Sequence, residues 1–231
     1  MSVKSNVGVV TDGLVFYVDA GNSKSYPGAG TDFTYLVGSN EGELRNMESN
    51  DFVSDDGGYF NLGGSDEKID FGDFDNTKVS SSITVSVWFK DLSGSGYPHV
   101  FGNGGGWDAG GFVMFAYNNG IRFELQGTGK EALDISGISY TGSWQNVVGT
   151  WEQGQNIKSY VNGSFINQTS GITSIGTNSD TGNLSAGGKG DGSEMSTTFG
   201  LMKFASASIY GKALSASEVL QNYNALKNRF I

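Results

Sequence analysis

Residues 143–165 read SWQNVVGTWEQGQNIKSYVNGSF, and this stretch decides the fold. Residues 147–151 form a Val-rich run between polar neighbours, which reads as a strand. Residues 157–161 and 164–167 then flank Asn162-Gly163. Asn-Gly accepts the positive φ angles of a type I′ turn, so these two runs form a tight antiparallel hairpin with a fixed register. A second hairpin has the same form. Residues 112–117 and 121–125 flank Asn118-Asn119-Gly120, where an Asn-Gly pair again suits the turn.

Working outward, residues 83–90 give the cleanest alternation. Ile83, Val85, Val87 and Phe89 share one face, and Thr84, Ser86, Trp88 and Lys90 share the other. Strict period two predicts a strand with one buried face. Residues 14–20 are a continuous apolar run that predicts a buried strand. Residues 58–62 and 68–71 predict short strands, with Asp66, Glu67 and Asp70 at the turn. Residues 199–210 predict a late strand or strand pair, and residues 21–31 a loop. One helix is predicted, over residues 216–228. Ser215 is its N-cap and Glu218 completes a capping box. Val219, Tyr223, Leu226 and Phe230 make one apolar stripe that packs against the edge of the sheets or caps their open end.

Composition agrees with many short strands joined by tight turns. The chain has 231 residues, 37 glycines, two prolines and 13% aromatics. That fits one large β domain of residues 12–231, preceded by an N-terminal arm of residues 1–11 that is free to dock on a neighbour. The net charge of −10 argues against nucleic acid and anionic membranes as partners. There is no cysteine, which excludes disulfides and thiolate metal sites. No run approaches the ~18 apolar residues needed to span a bilayer, so no membrane insertion is expected. The opening MSVKSNVGVVTDG carries no signal-type apolar run.

Four segments in order resemble one family: residues 58–72 (GYFNLGGSDEKIDFG), 82–90 (SITVSVWFK), 143–165, and 205–223 (ASASIYGKALSASEVLQNY). Together they are similar to laminin G-like domains of the concanavalin A-like lectin/glucanase jelly rolls. The resemblance implies an all-β fold: a two-sheet antiparallel jelly-roll sandwich with one short C-terminal helix. Residues 12–31 (DGLVFYVDAGNSKSYPGAGT) resemble the opening of such domains in structural proteins of tailed phages. Phe33 and Tyr35 stand where that opening would continue with a Trp, and its acidic residue is missing.

Glucanases on this fold place paired carboxylates two residues apart on one strand face, which gives the ~5 Å separation of a retaining enzyme. No such pattern occurs. Glu131 and Asp134 are three apart, which puts them on opposite faces of a strand. The only histidine, His99, has no nucleophile elbow and no further metal ligands around it. A catalytic set is therefore not expected. A sugar site needs an aromatic platform beside planar polar groups. Residues 97–111 (YPHVFGNGGGWDAGG) offer Tyr97, His99, Asn103, Trp107 and Asp108 as ligand-binding candidates in one glycine-rich loop region. Trp88, Trp144 and Trp151 read as structural. The resemblance also allows calcium at the rim of the sandwich, held by Asp side chains and backbone carbonyls. Candidate ligands are Asp70, Asp73, Asp75, Asp108, Asp180 and Asp191, none of which falls in a regular Asp-x-Asp-x-Asp-Gly loop.

The expected function is that of a non-catalytic phage virion protein, assembled in the host cytoplasm and displayed on capsid or tail. Its partners would be other virion subunits and bacterial surface polysaccharide, and it would form a homo-oligomer where the particle's symmetry sets copies side by side. The alternatives are a bacterial secreted lectin or adhesin module and a divergent glycoside hydrolase.

Overall fold

Runs of alternating and β-branched residues become sixteen strands in the computed structural model, which describes residues 8–38, 40–63, 66–94, 96–103, 110–127, 129–177, 182–188 and 199–230. In chain order they are β1 (Leu14–Asp19), β2 (Asp32–Thr34), β3 (Glu41–Arg45), β4 (Phe52–Val53), β5 (Tyr59–Leu62), β6 (Lys68–Asp70), β7 (Ser82–Ser93) and β8 (His99–Gly102). There follow β9 (Gly111–Tyr117), β10 (Gly120–Gly127), β11 (Gly129–Ile135), β12 (Gln145–Glu152), β13 (Ile157–Val161), β14 (Ser164–Thr169), β15 (Ser185–Ala186) and β16 (Leu201–Tyr210). One sheet runs β14-β13-β12-β7-β16-β5-β4, with β1 also paired to β16. The other runs β11-β10-β9-β8-β15-β6-β3-β2. The strand ladders that carry the fold are antiparallel. The expected two-sheet jelly roll with one C-terminal helix is the observed fold. Among the described residues no helix is long and apolar enough to cross a membrane.

Both hairpins form, with one change of register. Val161 pairs with Ser164 around Asn162 (φ 50°) and Gly163 (φ 77°), as expected. In the other, Tyr117 pairs with Gly120, so the turn residues are Asn118 (φ 47°) and Asn119 (φ 62°). Gly120 is already in the strand. A Cβ there would lie 2.3 Å from the carbonyl oxygen of Ile135, so close strand approach fixes the glycine rather than turn geometry.

The predicted single buried face of β7 is corrected. Ile83, Val85, Val87 and Phe89 are fully buried between the sheets, but Thr84, Ser86 and Trp88 are buried too. The cause is α1 (Ala216–Leu226), which continues as a 3-10 turn over Lys227–Arg229. It lies across the outer face of the first sheet instead of at its edge or open end. Trp88 stacks on Tyr223 (centroids 5.6 Å apart, 5° between planes) and on Phe230 (4.6 Å). Trp144 joins at 4.8 Å from Phe230. Farther along, Val219 packs with Val148, Tyr160, Tyr210 and Leu214. Trp151, seven residues from Trp144 and so on the opposite face, is wholly inside the main core.

Polar groups fasten this cover. The capping box forms as predicted, with Ser215 Oγ accepting from Glu218 N and Glu218 Oε2 accepting from Ser215 N. Arg229 donates bidentately to Asp19 (2.5 and 2.8 Å) and also to the Gly57 carbonyl. The described part of the expected arm is tied down on its own domain. Val10 N donates to Asn222 Oδ1 (2.8 Å), Tyr210 Oη donates to the Val10 carbonyl (3.0 Å), and Gln221 Nε2 donates to the Gly8 carbonyl. Residues 1–7 lie outside the described residues.

Two outcomes follow for stability. Truncating Arg229→Ala leaves the Asp19 carboxylate, 5% exposed, without its partner. Denaturant unfolding is expected to show a loss of about 3 kcal/mol, the lower end for a broken buried pair because Arg229 is itself 26% exposed. The second concerns acid. The Lys212 ammonium and the Ser215 backbone and hydroxyl groups hold the Glu218 carboxyl down at about 2. A carboxyl whose folded pKa is depressed stabilises the fold above its unfolded value and loses that contribution as pH falls from the ordinary glutamate range through about 2. Urea midpoints of the wild type and Glu218→Gln are expected to differ at pH 7 and to converge as pH drops through that window.

Candidate functional site

The candidate site is a groove of about 530 Å³ at one rim of the sandwich. Four pieces of chain form it. The end of β7 brings Leu92 and Ser93. The segment before β8 brings Gly94, Gly96, Tyr97 and Pro98. The β9–β10 hairpin brings Ala116, Tyr117, Asn118 and Asn119. Tyr140 and Thr141, between β11 and β12, close it. The volume falls in the range of small-ligand clefts, on the order of 300–1,000 Å³.

Its wall is a ladder of planar groups. Tyr97 is the most exposed large hydrophobic residue described, at 57%. It stacks on Tyr117 at 5.8 Å with 23° between planes, and meets the edge of Phe115 at 5.7 Å. The guanidinium of Arg122 lies 3.6 Å from the centre of the Tyr117 ring. Arg122 is in turn fixed by Asp134 through two hydrogen bonds of 2.6 and 3.0 Å. The bond to Asp134 also raises the Arg122 pKa. Strand pairing explains the ladder, since Arg122 lies opposite Phe115 on β9 and opposite Asp134 on β11. Tyr117 projects from the same outer face. Asn118 and Asn119 are exposed beside the platform because the turn holds them there. The Tyr140 hydroxyl donates to the Gly120 carbonyl, and burial raises its pKa.

The structure separates the residues that the sequence grouped together. Tyr97 and Asn103 lie at opposite ends of β8, whose four residues span roughly 13 Å at about 3.3 Å each. His99 opens that strand and is buried, its Nε2 3.2 Å from both the carbonyl and the hydroxyl oxygen of Ser185. Asn103 is buried as well. Its Nδ2 donates to Asn76 Oδ1 (2.9 Å), and its Oδ1 accepts from Phe112 N. Neither side chain is presented to a ligand. Trp107 and Asp108 lie outside the described residues. Of the five candidates, Tyr97 remains as an exposed contact. Tyr117, Asn118, Asn119 and Tyr140 were missed. The aromatic at the end of 112–117 and the paired asparagines after it were the available signal, but they read as hairpin residues.

The calcium candidates also separate. Asp70 is not at a turn but ends β6, where it is buried. It accepts from Gly72 N and Asn183 Nδ2, both at 2.9 Å, and pairs with Arg45 Nε at 3.1 Å. Asp73 and Asp75 are exposed and line a second groove of about 390 Å³ with Tyr35, Asn40 and Lys78. Asp75 caps a short 3-10 turn, and its hydrogen bonds from Thr77 lower its pKa. Asp108, Asp180 and Asp191 lie outside the described residues. Among the described residues no three His, Asp or Glu side chains gather as a metal-ligand set.

Glu131 and Asp134, whose spacing placed them on opposite faces of a strand, do lie on opposite faces of β11. Glu131 lies opposite Leu125 of the core face, and Asp134 lies opposite Arg122 of the outer face.

Comparison with known proteins places the fold. The family model for the concanavalin A-like lectin/glucanases superfamily, of laminin G type, matches residues 62–220. Among solved structures, the binding domain of botulinum neurotoxin serotype D aligns with a TM-score of 0.68 and 17% identity, over 95% of this chain and 52% of that one. The ligand binding domain of the same serotype, in complex with N-acetylneuraminic acid, aligns at 0.65 and 17%, again over 95% and 52%. The receptor binding domain of botulinum neurotoxin type G aligns at 0.65 and 15%, over 92% and 51%. This chain therefore spans about half the length of each, and identities this low carry the fold alone. No curated protein matches the sequence.

Proposed function

The chain belongs to the concanavalin A-like lectin/glucanases superfamily, and from that premise we propose that it is a non-catalytic domain that binds glycans in the Tyr97–Tyr117 groove. One observation carries the reading: an exposed tyrosine stacked on a second that is itself clamped by a bidentate Arg122–Asp134 pair, with two exposed amides alongside. The C–H face of a pyranose stacks on an aromatic ring, while asparagine amides both donate to and accept from hydroxyls. A platform held in place before binding loses little freedom when the sugar arrives. The opposite placement of Glu131 and Asp134, and the burial of His99, support a binding role over hydrolysis.

We also propose the setting of a tailed-phage virion, with the domain displayed on capsid or tail and in contact with other virion subunits. The observations favouring it are the resemblance of residues 12–31 to phage openings and the absence of cysteine, which suits folding in a reducing cytoplasm. Antibody raised against the chain is expected to label assembled particles, and particles without label would remove this setting.

The glycan reading is tested by calorimetric titration of oligosaccharides into wild type, Tyr97→Ala and a far-groove control, Asp73→Asn. Tyr97→Ala is expected to weaken binding about tenfold, from the loss of roughly 1.4 kcal/mol of stacking. Its melting temperature should hold, since Tyr97 is largely exposed. The control should bind as wild type does. Equal affinity in wild type and Tyr97→Ala would show that this groove is not the sugar site.

A further inference from the structure

The groove is uncharged inside an acidic protein. Among the described residues none of its lining side chains is Asp, Glu, Lys or Arg, and residues 92–98 read LSGSGYP. Arg122, which adjoins the groove through Tyr117, is already committed. Its edge makes two hydrogen bonds to Asp134, and its face covers Tyr117. Turning it toward a ligand would leave Asp134 unpaired and remove the support of the platform. On β16, opposite Lys90 of β7, Lys203 is held by Asp91 at 2.7 Å. The whole chain carries −10, so its long-range field repels anions.

Resting on the glycan reading above, we propose that the groove takes neutral pyranosides, hexoses or N-acetylhexosamines, and discriminates against acidic sugars. A sugar carboxylate gives up strong hydration on entering a cleft, and a free guanidinium or ammonium is what compensates for that loss. This groove offers phenol hydroxyls and amides instead. Those groups match hydroxyl and acetamido substituents, which both donate and accept. N-acetylneuraminic acid, found with the serotype D neurotoxin ligand binding domain of which this chain matches about half, is an acidic sugar outside this class.

The test uses matched pairs of oligosaccharides that differ by one acidic sugar: lactose with 3′-sialyllactose, and xylotriose with its glucuronic acid-substituted counterpart. Maltotriose and triacetylchitotriose widen the neutral set. Binding is measured by saturation-transfer NMR and titration at 0.05 and 0.5 M salt, for wild type, Tyr97→Ala and Thr141→Lys. We expect neutral members to bind equally at both salt concentrations, and acidic partners to bind at least about tenfold more weakly, the effect of one uncompensated charge. Thr141→Lys, at an exposed lining position, is expected to recover binding of the acidic partners in a salt-dependent way. An acidic member that binds wild type as tightly as its neutral mate, with the binding lost in Tyr97→Ala, overturns the proposal and leaves the glycan reading standing. Absence of binding by every sugar, or binding indifferent to Tyr97→Ala, overturns both.

Discussion

The structure depends on burying β7 from both sides. Its Ile83, Val85, Val87 and Phe89 face the second sheet, while Ser86 and Trp88 face the C-terminal helix and Thr84 bonds to Lys212 and Leu214 just before it. A sandwich sheet usually turns one face to water. Here the outer face carries Trp88, Trp144 and Tyr160, too much apolar surface to leave wet. Helix α1 and the 3-10 turn after it remove that surface from solvent through Val219, Tyr223 and Phe230. Both ends of the described chain are then drawn to the same place, residues 8–10 by hydrogen bonds to the helix and β16, and Arg229 by its ion pair with Asp19.

The rigid sheets explain why the candidate site can be small. Strand pairing sets Phe115, Arg122 and Asp134 side by side across β9, β10 and β11. The Asn118-Asn119 turn then lifts two amides beyond the sheet edge. Tyr97 arrives from the segment before β8 and completes the platform. The strand-borne parts are fixed by backbone hydrogen bonding, and Ala116 N donates to the Pro98 carbonyl beside Tyr97, so little ordering is left for a ligand to impose. The same placement accounts for the neutrality of the groove. Arg122, which adjoins the groove, is consumed in holding the platform together.

Much of the fold was legible in local pattern. The hairpin at Asn162-Gly163, the alternation of β7 and the capping box at Ser215 and Glu218 all follow from short-range rules about turns, pleats and helix ends. The candidate site was legible only at Tyr97. Residues 97–111 are continuous in sequence and looked like one glycine-rich loop. A four-residue strand, too short to signal itself by alternation, separates Tyr97 from Asn103. His99 and Asn103 then became interior groups. Asp70 followed the same course, since pairing with β3 and β15 carried it inside to meet Arg45 and Asn183.

By itself the sequence determined the fold class, the two hairpin positions, the capped C-terminal helix and the structural role of its three strand tryptophans. These depend on neighbours within a few residues, where steric and hydrogen-bonding preferences act directly. Only the tertiary structure decided where the helix lies, which of Asn118, Asn119 and Gly120 form the turn, and which polar residues meet solvent. It also brought Tyr97, Tyr117 and Arg122 into one stack, with Asp134 bonded behind it. Those outcomes turn on which strands become neighbours across the sheet, a relation between distant segments that is fixed when the two faces of β7 are buried together.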